Sequence, residues 1–368
     1  MEKIHQIGPS LGKEEKRELL SVINSGWFTE AKKTREFERM FCEFVGCKYA
    51  TAVTSGTSAL FIALKSIGIG KGDEIIVPDL TFVATATAVE MTGAKPVLVD
   101  IEPLTLNLDL TKLQRIITNR TKAIIPVDMN GRSTNMNELK DFTKKKNLFL
   151  VEDAAHAIGS YHKGKHMGTL SDIAVFSFSI PKIITTGQGG MIITNNKQIF
   201  NKCLAVKDFG REFGKKHEIK SAFAHKTIGY NFKFTEFQAA VGIAQMKKLP
   251  RRINKKKKIF KKYRDNLSNI NEIEFIPTNL ENITVWSVDI LTQSNSQKIK
   301  LMNYLSKKNI ETRKFFPPIH RLNPFKTPPS KFKITSNVSD RGLWLPSSIT
   351  LTDKQLELVS KEITEFFK

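Results

Sequence analysis

Between residues 45 and 200, short apolar runs alternate with stretches of mixed polarity. The runs are EIIVP (74–78), KPVLVDI (95–101), AIIPVDM (123–129), LFLVED (148–153), IAVFSF (173–178) and MIITNN (191–196). Each is short, rich in β-branched residues and mostly non-alternating, the pattern of strands buried on both faces. Helical periodicity falls between several of them, at 57–67, 82–92, 109–118 and 135–146. This alternation predicts an α/β fold, with an open, mainly parallel sheet covered by helices. Such sheets bind ligands beyond the carboxyl ends of their strands. A helix is expected over 12–25, and TEFQAAVGIAQMKK (235–248) reads as another, ended by Pro250. That proline places a domain boundary: residues 1–250 form a large α/β domain and 251–368 a smaller α+β domain. The smaller part has strand-like INEIEFIP and NITVWSVDIL, a helical KIKLMNYLSKKN and a terminal helix over 353–367.

Composition changes this picture little. Hydrophobic residues make up 40% and charged residues 26% of 368, which excludes disorder and fibrous repeats. The formal net charge of +22 admits a polyanionic partner, an anionic membrane surface or a plain lysine bias. Three cysteines (Cys42, Cys47, Cys203) exclude a disulfide scaffold, and no Cys/His pairing supports a structural zinc site. The N-terminus has no apolar signal region and no stretch is long enough to span a bilayer, so a soluble cytoplasmic protein is expected.

Candidate chemistry lies in loops just after the strands. Thr54-Ser55-Gly56-Thr57-Ser58 opens a helix with small residues and hydroxyls, which suits either a phosphate cradle or an ordinary N-cap. VEDAAH (151–156) sets Asp153 at the end of an apolar strand, where a carboxylate is costly unless a donor or cation faces it. Metal ligand, general base, partner of a protonated ring nitrogen and helix cap all stay open for Asp153. No further acidic or histidine cluster accompanies it, so metal binding ranks last. FSFSIPK (176–182), followed by TTGQGG (185–190), holds Lys182 among apolar and small neighbours, unlike the solvated lysines elsewhere. Desolvation lowers an amine pKa and frees it to form a Schiff base. GYNFKFT (229–235) is a polar loop before a helix, with Thr235 as its cap. GSYHKGK (159–165) has the spacing of a nucleotide-phosphate loop. His166 stands where Ser or Thr would hold magnesium, however, and YHKGKHMG reads as a tight β-turn, which excludes nucleotide hydrolysis.

Taken together, SGTSALFIAL, KGDEIIVPDLTFVATATAV, GAKPVLVDI, VEDAAHAIGS, FSFSIPKIITTGQGGMI, GYNFKFTEFQAAVG, FFPPIH and WLPSS resemble the DegT/DnrJ/EryC1/StrS family over about residues 8–355. The resemblance implies a fold type I (aspartate-aminotransferase-like) enzyme that uses pyridoxal 5′-phosphate (PLP). It further implies a homodimer with shared active sites, in which residues 1–250 bind PLP. By position, Lys182 matches the lysine that bonds the cofactor and shuttles the proton, and Asp153 the carboxylate facing the pyridine nitrogen. Phe82 matches the aromatic residue stacked on the ring, and His156 a neighbour of the cofactor. Gly56, Thr57, Ser58 and Ser177 match the phosphate site, which Asn231 reaches from the partner subunit. Lys233, Arg313 and His320 are candidate substrate contacts.

The implied reaction moves an amino group from L-glutamate to a keto sugar nucleotide. The ITTGQGG wording is most similar to perosamine-forming members, which aminate C4 of a GDP-linked 4-keto-6-deoxy sugar. Alternatives within the family are C3 or cyclitol amination and sugar dehydration; Lys182 argues against the subgroup that carries His there. Gln188 stands where Glu is usual, Lys233 where Arg is usual, and WFTEAKKTREFE (27–38) lacks a usual glycine. A non-catalytic regulator or nucleic-acid binder of the same fold, resting on KKKK (255–258), leaves the PLP motifs unexplained. Neither nucleic acid nor membrane is therefore expected as a partner.

Overall fold

The computed structural model describes residues 3–211 and 225–368. Helices α1 (Lys13–Ser25) and α2 (Lys32–Val45) lead into β1 (Tyr49–Val53), α3 (Gly56–Ser66), β2 (Glu74–Pro78), α4 (Ala84–Met91) and β3 (Lys95–Val99). Then come α5 (Leu110–Ile116), β4 (Thr121–Ile124), α6 (Met136–Lys145) and β5 (Phe149–Asp153). A hairpin of β6 (Tyr161–His162) and β7 (Lys165–His166) precedes β8 (Ile173–Ser177), β9 (Gly190–Thr194) and α7 (Lys197–Lys207). Seven strands form one sheet in the order β1-β9-β8-β5-β4-β2-β3.

The six apolar runs all become strands of this sheet, joined by β1, whose YATAV the pattern did not single out. Pairing from β3 through β8 is parallel, and β9 runs antiparallel to both its neighbours. The reversal has a simple cause. A parallel crossover needs a dozen or more residues, usually a helix, and residues 178–189 contain none. The chain therefore folds straight back, and the loop so made carries Lys182. One face of the sheet packs on α2 and the next long helix, with Phe37, Phe41, Phe176 and Phe178 fully buried. The other is covered by α3 and α4, through residues such as Leu60, Ile62 and Val89. Each buried Phe contributes about 1.5–3 kcal/mol.

Helix α8 (Glu236–Asn266) corrects an expectation: it runs 31 residues, straight through Pro250. Proline removes one backbone donor, here the partner of the Met246 carbonyl. Burial on both sides offsets the loss: Ala239, Ile243 and Leu249 lie in the large core, and Ile259, Phe260 and Tyr263 in the small one. The boundary expected at 250 thus falls inside a helix. Helix α1 lies on α8, held by Glu15, which accepts from Gln245 at 2.6 Å and Lys248 at 2.8 Å.

The C-terminal part adds β10 (Ile273–Phe275), β11 (Asp289–Thr292), α9 (Asn295–Lys307), β12 (Arg313–Lys314), α10 (Lys333–Arg341), β13 (Gly342–Trp344) and α11 (Asp353–Phe367). Its four strands form an antiparallel sheet, β10-β11-β13-β12. Among the described residues no helix is long and apolar enough to cross a membrane.

Candidate active site

A cavity of about 390 Å³ opens at the carboxyl ends of the large sheet's strands. Ser55, Gly56 and Thr57 reach it after β1, Thr81 and Phe82 after β2, and Val127 after β4. Asp153 and His156 follow from β5, and Ser177, Ser179 and Lys182 from β8. Trp286, Arg313 and Phe316 close it from the C-terminal part.

Asp153 is the last residue of β5 and is buried. Its Oδ2 accepts a hydrogen bond from Thr85 Oγ1 at 2.8 Å, and Oδ1 accepts from the Ala155 N–H at 3.2 Å. Thr85 is itself 2.8 Å from Thr81 Oγ1, so the first turn of α4 orients the carboxylate. Burial raises the Asp153 pKa above the usual carboxylate range, opposed by these donors and by Lys182. The same burial pushes the Lys182 amine down to about 7, with Asp153 pulling it up and Arg313 down. At neutral pH this amine is neutral in a large fraction of molecules, the form that attacks an aldehyde or takes a proton.

His156 lies flat on Trp286, ring centroids 4.1 Å apart and planes 14° apart. Burial, with Lys182, Arg313 and Arg132 nearby, holds its pKa well below the ordinary imidazole range. Its Nδ1 accepts the Asn130 N–H at 3.5 Å, so the neutral ring carries its proton on Nε2. Trp286 donates its indole N–H to the Pro181 carbonyl at 2.7 Å, and Lys182 Nζ lies 5.1 Å from its ring centre. One tryptophan thus braces both the histidine and the lysine loop.

At the other end, α3 begins against β9. A Cβ on Gly190 would come within 2.3 Å of the Ser55 carbonyl oxygen, and one on Gly56 within 3.1 Å of Ser177 Cβ. Only bare backbone fits there, which turns the first amides of α3 toward a phosphate, beside the Ser177 hydroxyl, itself 3.3 Å from Ser179 Oγ. A phosphate cradle, an amine of lowered pKa and a buried carboxylate share this cavity, and that set fits PLP. The family's sequence profile matches residues 9–364. The chain belongs to the DegT/DnrJ/EryC1/StrS aminotransferase family.

Relatives agree over nearly the whole length. The GDP-perosamine synthase of Escherichia coli O157:H7 is 36% identical, covering 98% of this chain and 97% of its own. That of Vibrio cholerae is 34% identical, covering 98% of each. Among solved structures, Helicobacter pylori PseC, an aminotransferase involved in the biosynthesis of pseudoaminic acid, superposes with a TM-score of 0.92 at 28% identity, covering 100% of this chain and 99% of its own. The fold is that of the type I PLP-dependent aminotransferases, and the family acts on sugar nucleotides.

The cavity brings together Gly56, Thr57, Phe82, Asp153, His156, Ser177, Lys182 and Arg313. Phe82 is half exposed at its mouth, 5.4 Å from the Phe316 ring. Four expected residues lie outside its lining. Ser58 is buried in the capping box of α3, taking the Ser55 N–H at 2.9 Å and donating to the Ser55 carbonyl at 2.8 Å. Asn231 is exposed and bridges to Asp208 through its backbone, outside the cavity lining. Lys233 pairs with Asp208 at 2.9 Å and sits 4.3 Å from the Phe209 ring centre. His320 is buried, with Nδ1 2.6 Å from Asp79 Oδ2 and its ring stacked on Phe332; it ties two loops together behind the cavity. The pattern missed Thr85, Trp286 and Phe316. Thr81 and Thr85, four positions apart at the entry to an expected helix, were a legible signal for the first; Trp286 and Phe316 gave none beyond their place in apolar segments.

Proposed function

We propose that this protein moves an amino group from L-glutamate to a keto sugar nucleotide, with a GDP-linked 4-keto-6-deoxy sugar favoured and C4 as the aminated carbon. The observation that carries the reading is the juxtaposition of Lys182, with its lowered pKa, and buried Asp153 in one cavity above a bare-backbone cradle. Bound PLP supplies the electron sink that lets an amino acid lose its α-proton. The chain supplies the rest. Lys182 Nζ takes that proton and returns it to the acceptor side. Asp153, fixed by Thr85 and Ala155, holds a proton on the ring nitrogen. Gly56, Thr57 and Ser177 would hold the phosphate, Phe82 would lie against the ring, and His156, kept neutral, would border the cofactor without adding charge.

Arg313, at the cavity wall with its guanidinium 5.8 Å from the Phe316 ring centre, suits the glutamate carboxylate or the nucleotide diphosphate. Asn231 and Lys233, outside their own protomer's cavity, act in this reading across a homodimer interface. The similarity to two GDP-perosamine synthases supports the choice of sugar. The test is an assay with glutamate and PLP against GDP-, dTDP- and UDP-linked 4-keto-6-deoxy sugars, with NMR of the product. Turnover of the GDP-linked substrate to a 4-amino sugar is expected. Amination at C3, or preference for another nucleotide, overturns the specific reading.

A further inference from the structure

A second cavity, of about 220 Å³, shares no lining residue with the first. It lies between the β6–β7 hairpin, the segment after β4 and the loop joining β10 to β11. Arg132, His162 and Lys163 border it, and among the described residues no Asp or Glu does. Arg132 is 1% exposed; its terminal nitrogens are engaged by Asp289 and, at 3.0 Å, by Thr278 Oγ1, while its Nε–H is buried with no partner among the described residues. Nε2 of His162 is likewise buried and unpartnered. Buried polar atoms nearly always find partners. Both residues line the cavity beside a lysine, so a small side-chain shift would bring these two nitrogens to an acceptor bound there.

The frame around them is fixed. Lys163 and Gly164 take positive φ (48° and 78°) at the hairpin tip, and the Tyr161 N–H donates to the Asn282 carbonyl at 2.7 Å. This is the segment whose spacing mimics a nucleotide-phosphate loop. Folded as a hairpin it cannot cradle a triphosphate at a helix start, but it does carry Lys163 to the cavity.

We propose that this cavity is a second, separate anion site, binding a small phosphate-class oxyanion through Arg132, His162 and Lys163. The charge of Arg132 is matched by Asp289, so Lys163 provides the net attraction, joined by His162 when protonated. Burial and Lys163 keep the His162 pKa below the ordinary imidazole range. The groups facing it from the surrounding elements are Lys163, the paired Arg132 and the Tyr161 phenol. A bound anion favours the imidazolium, so binding takes up a proton and tightens as pH falls.

Sulfate is the first probe, because its own charge does not change between pH 6 and 8; inorganic phosphate is the second. Calorimetric titration uses the PLP-loaded full chain, whose cofactor-phosphate cradle is filled. One saturable site per protomer is expected, tighter at pH 6 than at pH 8. Lys163→Ala weakens it about tenfold, the loss of one charge-assisted contact. His162→Gln removes the pH dependence, and aminotransferase activity without sulfate is unchanged in both variants. Absence of saturable binding overturns the proposal. So does binding that survives the double replacement, which would put the sulfate at a nucleotide-phosphate position in the first cavity.

Discussion

Lys182 and Asp153 are tuned in opposite senses by one cause. Burial disfavours both charges, lowering the amine and raising the carboxyl, and each charge partly rescues the other. The pH consequence has a definite sign. With the Lys182 pKa near 7, the reactive neutral amine grows as pH rises to about 7 and is nearly complete above 8. The rate at which apoprotein captures PLP, followed by its visible absorbance, should climb about tenfold per unit below pH 7 and then level off. Lys182→Ala should lose that band entirely, with activity down by roughly 10²–10⁴-fold or more, the usual yield of a positioned proton-transfer group. Thr85→Val tests the support of Asp153. Loss of a hydrogen bond to a carboxylate costs about 1.5–3 kcal/mol, so kcat should fall by about ten- to a hundredfold while the protein still binds PLP.

Both key residues were legible because a charged side chain beside a buried strand is anomalous in one dimension. Trp286 was not, since its partner His156 lies 130 positions earlier and an apolar segment gives no hint of it. His320 misled for the converse reason. A histidine in a proline-rich loop reads as a free ligand, and the carboxylate that claims it, Asp79, is 241 positions away.

At the level of elements, the absence of a helix between β8 and β9 decides the site. It reverses β9, sets Gly190 against the start of α3 and leaves a tight loop, in which the Lys182 N–H donates to the Ser179 carbonyl and the Trp286 indole N–H to the Pro181 carbonyl. Gly190→Ala should displace the Ser55–Gly56 backbone and weaken PLP binding at least tenfold, read by equilibrium dialysis, with little change in secondary structure. The alternation of runs and helices revealed this layer order well, because strands buried on both faces carry a strong one-dimensional signature. Helix α8 defied the pattern because local propensity at Pro250 opposes the tertiary burial of its two halves, and burial wins. Pro250→Ala, which restores the donor to the Met246 carbonyl, should therefore stabilise the fold by about 1–3 kcal/mol in denaturant titration, at unchanged activity.

Over the whole molecule, the excess of positive charge is not all on the surface. Lys256, within the KKKK run (255–258), is buried and donates to the Trp286 carbonyl at 2.5 Å and the Ser347 carbonyl at 2.6 Å. Burial pushes it down to about 7, and Lys207 to about 8. An unfolded lysine stays protonated to about 10.4. Between pH 7 and 9 the unfolded chain thus binds more protons than the folded one, and stability should rise with pH. Above 9 the trend weakens, because Cys203 is pushed up to about 12 and favours the unfolded thiolate. Lys256→Met should remove close to one proton from this slope, about 1.4 kcal/mol per pH unit, measured by denaturation at pH 7.5 and 8.5. An unchanged slope would mean that Lys256 keeps its charge when folded.

Helix α8, about 46 Å long by its 31 residues, acts as a common axle. Turning one sheet relative to the other would shear Ala239–Ile243 packing and Ile259–Tyr263 packing at once, so enclosure of a substrate is left to the loops. The same geometry governs recombination among relatives. A chimaera joined at the proline severs the axle and strands Arg252, whose guanidinium donates to the Ser10 and Ile183 carbonyls. Exchange of the C-terminal part with a relative is best made beyond Asn266, where the helix ends and its register is no longer shared.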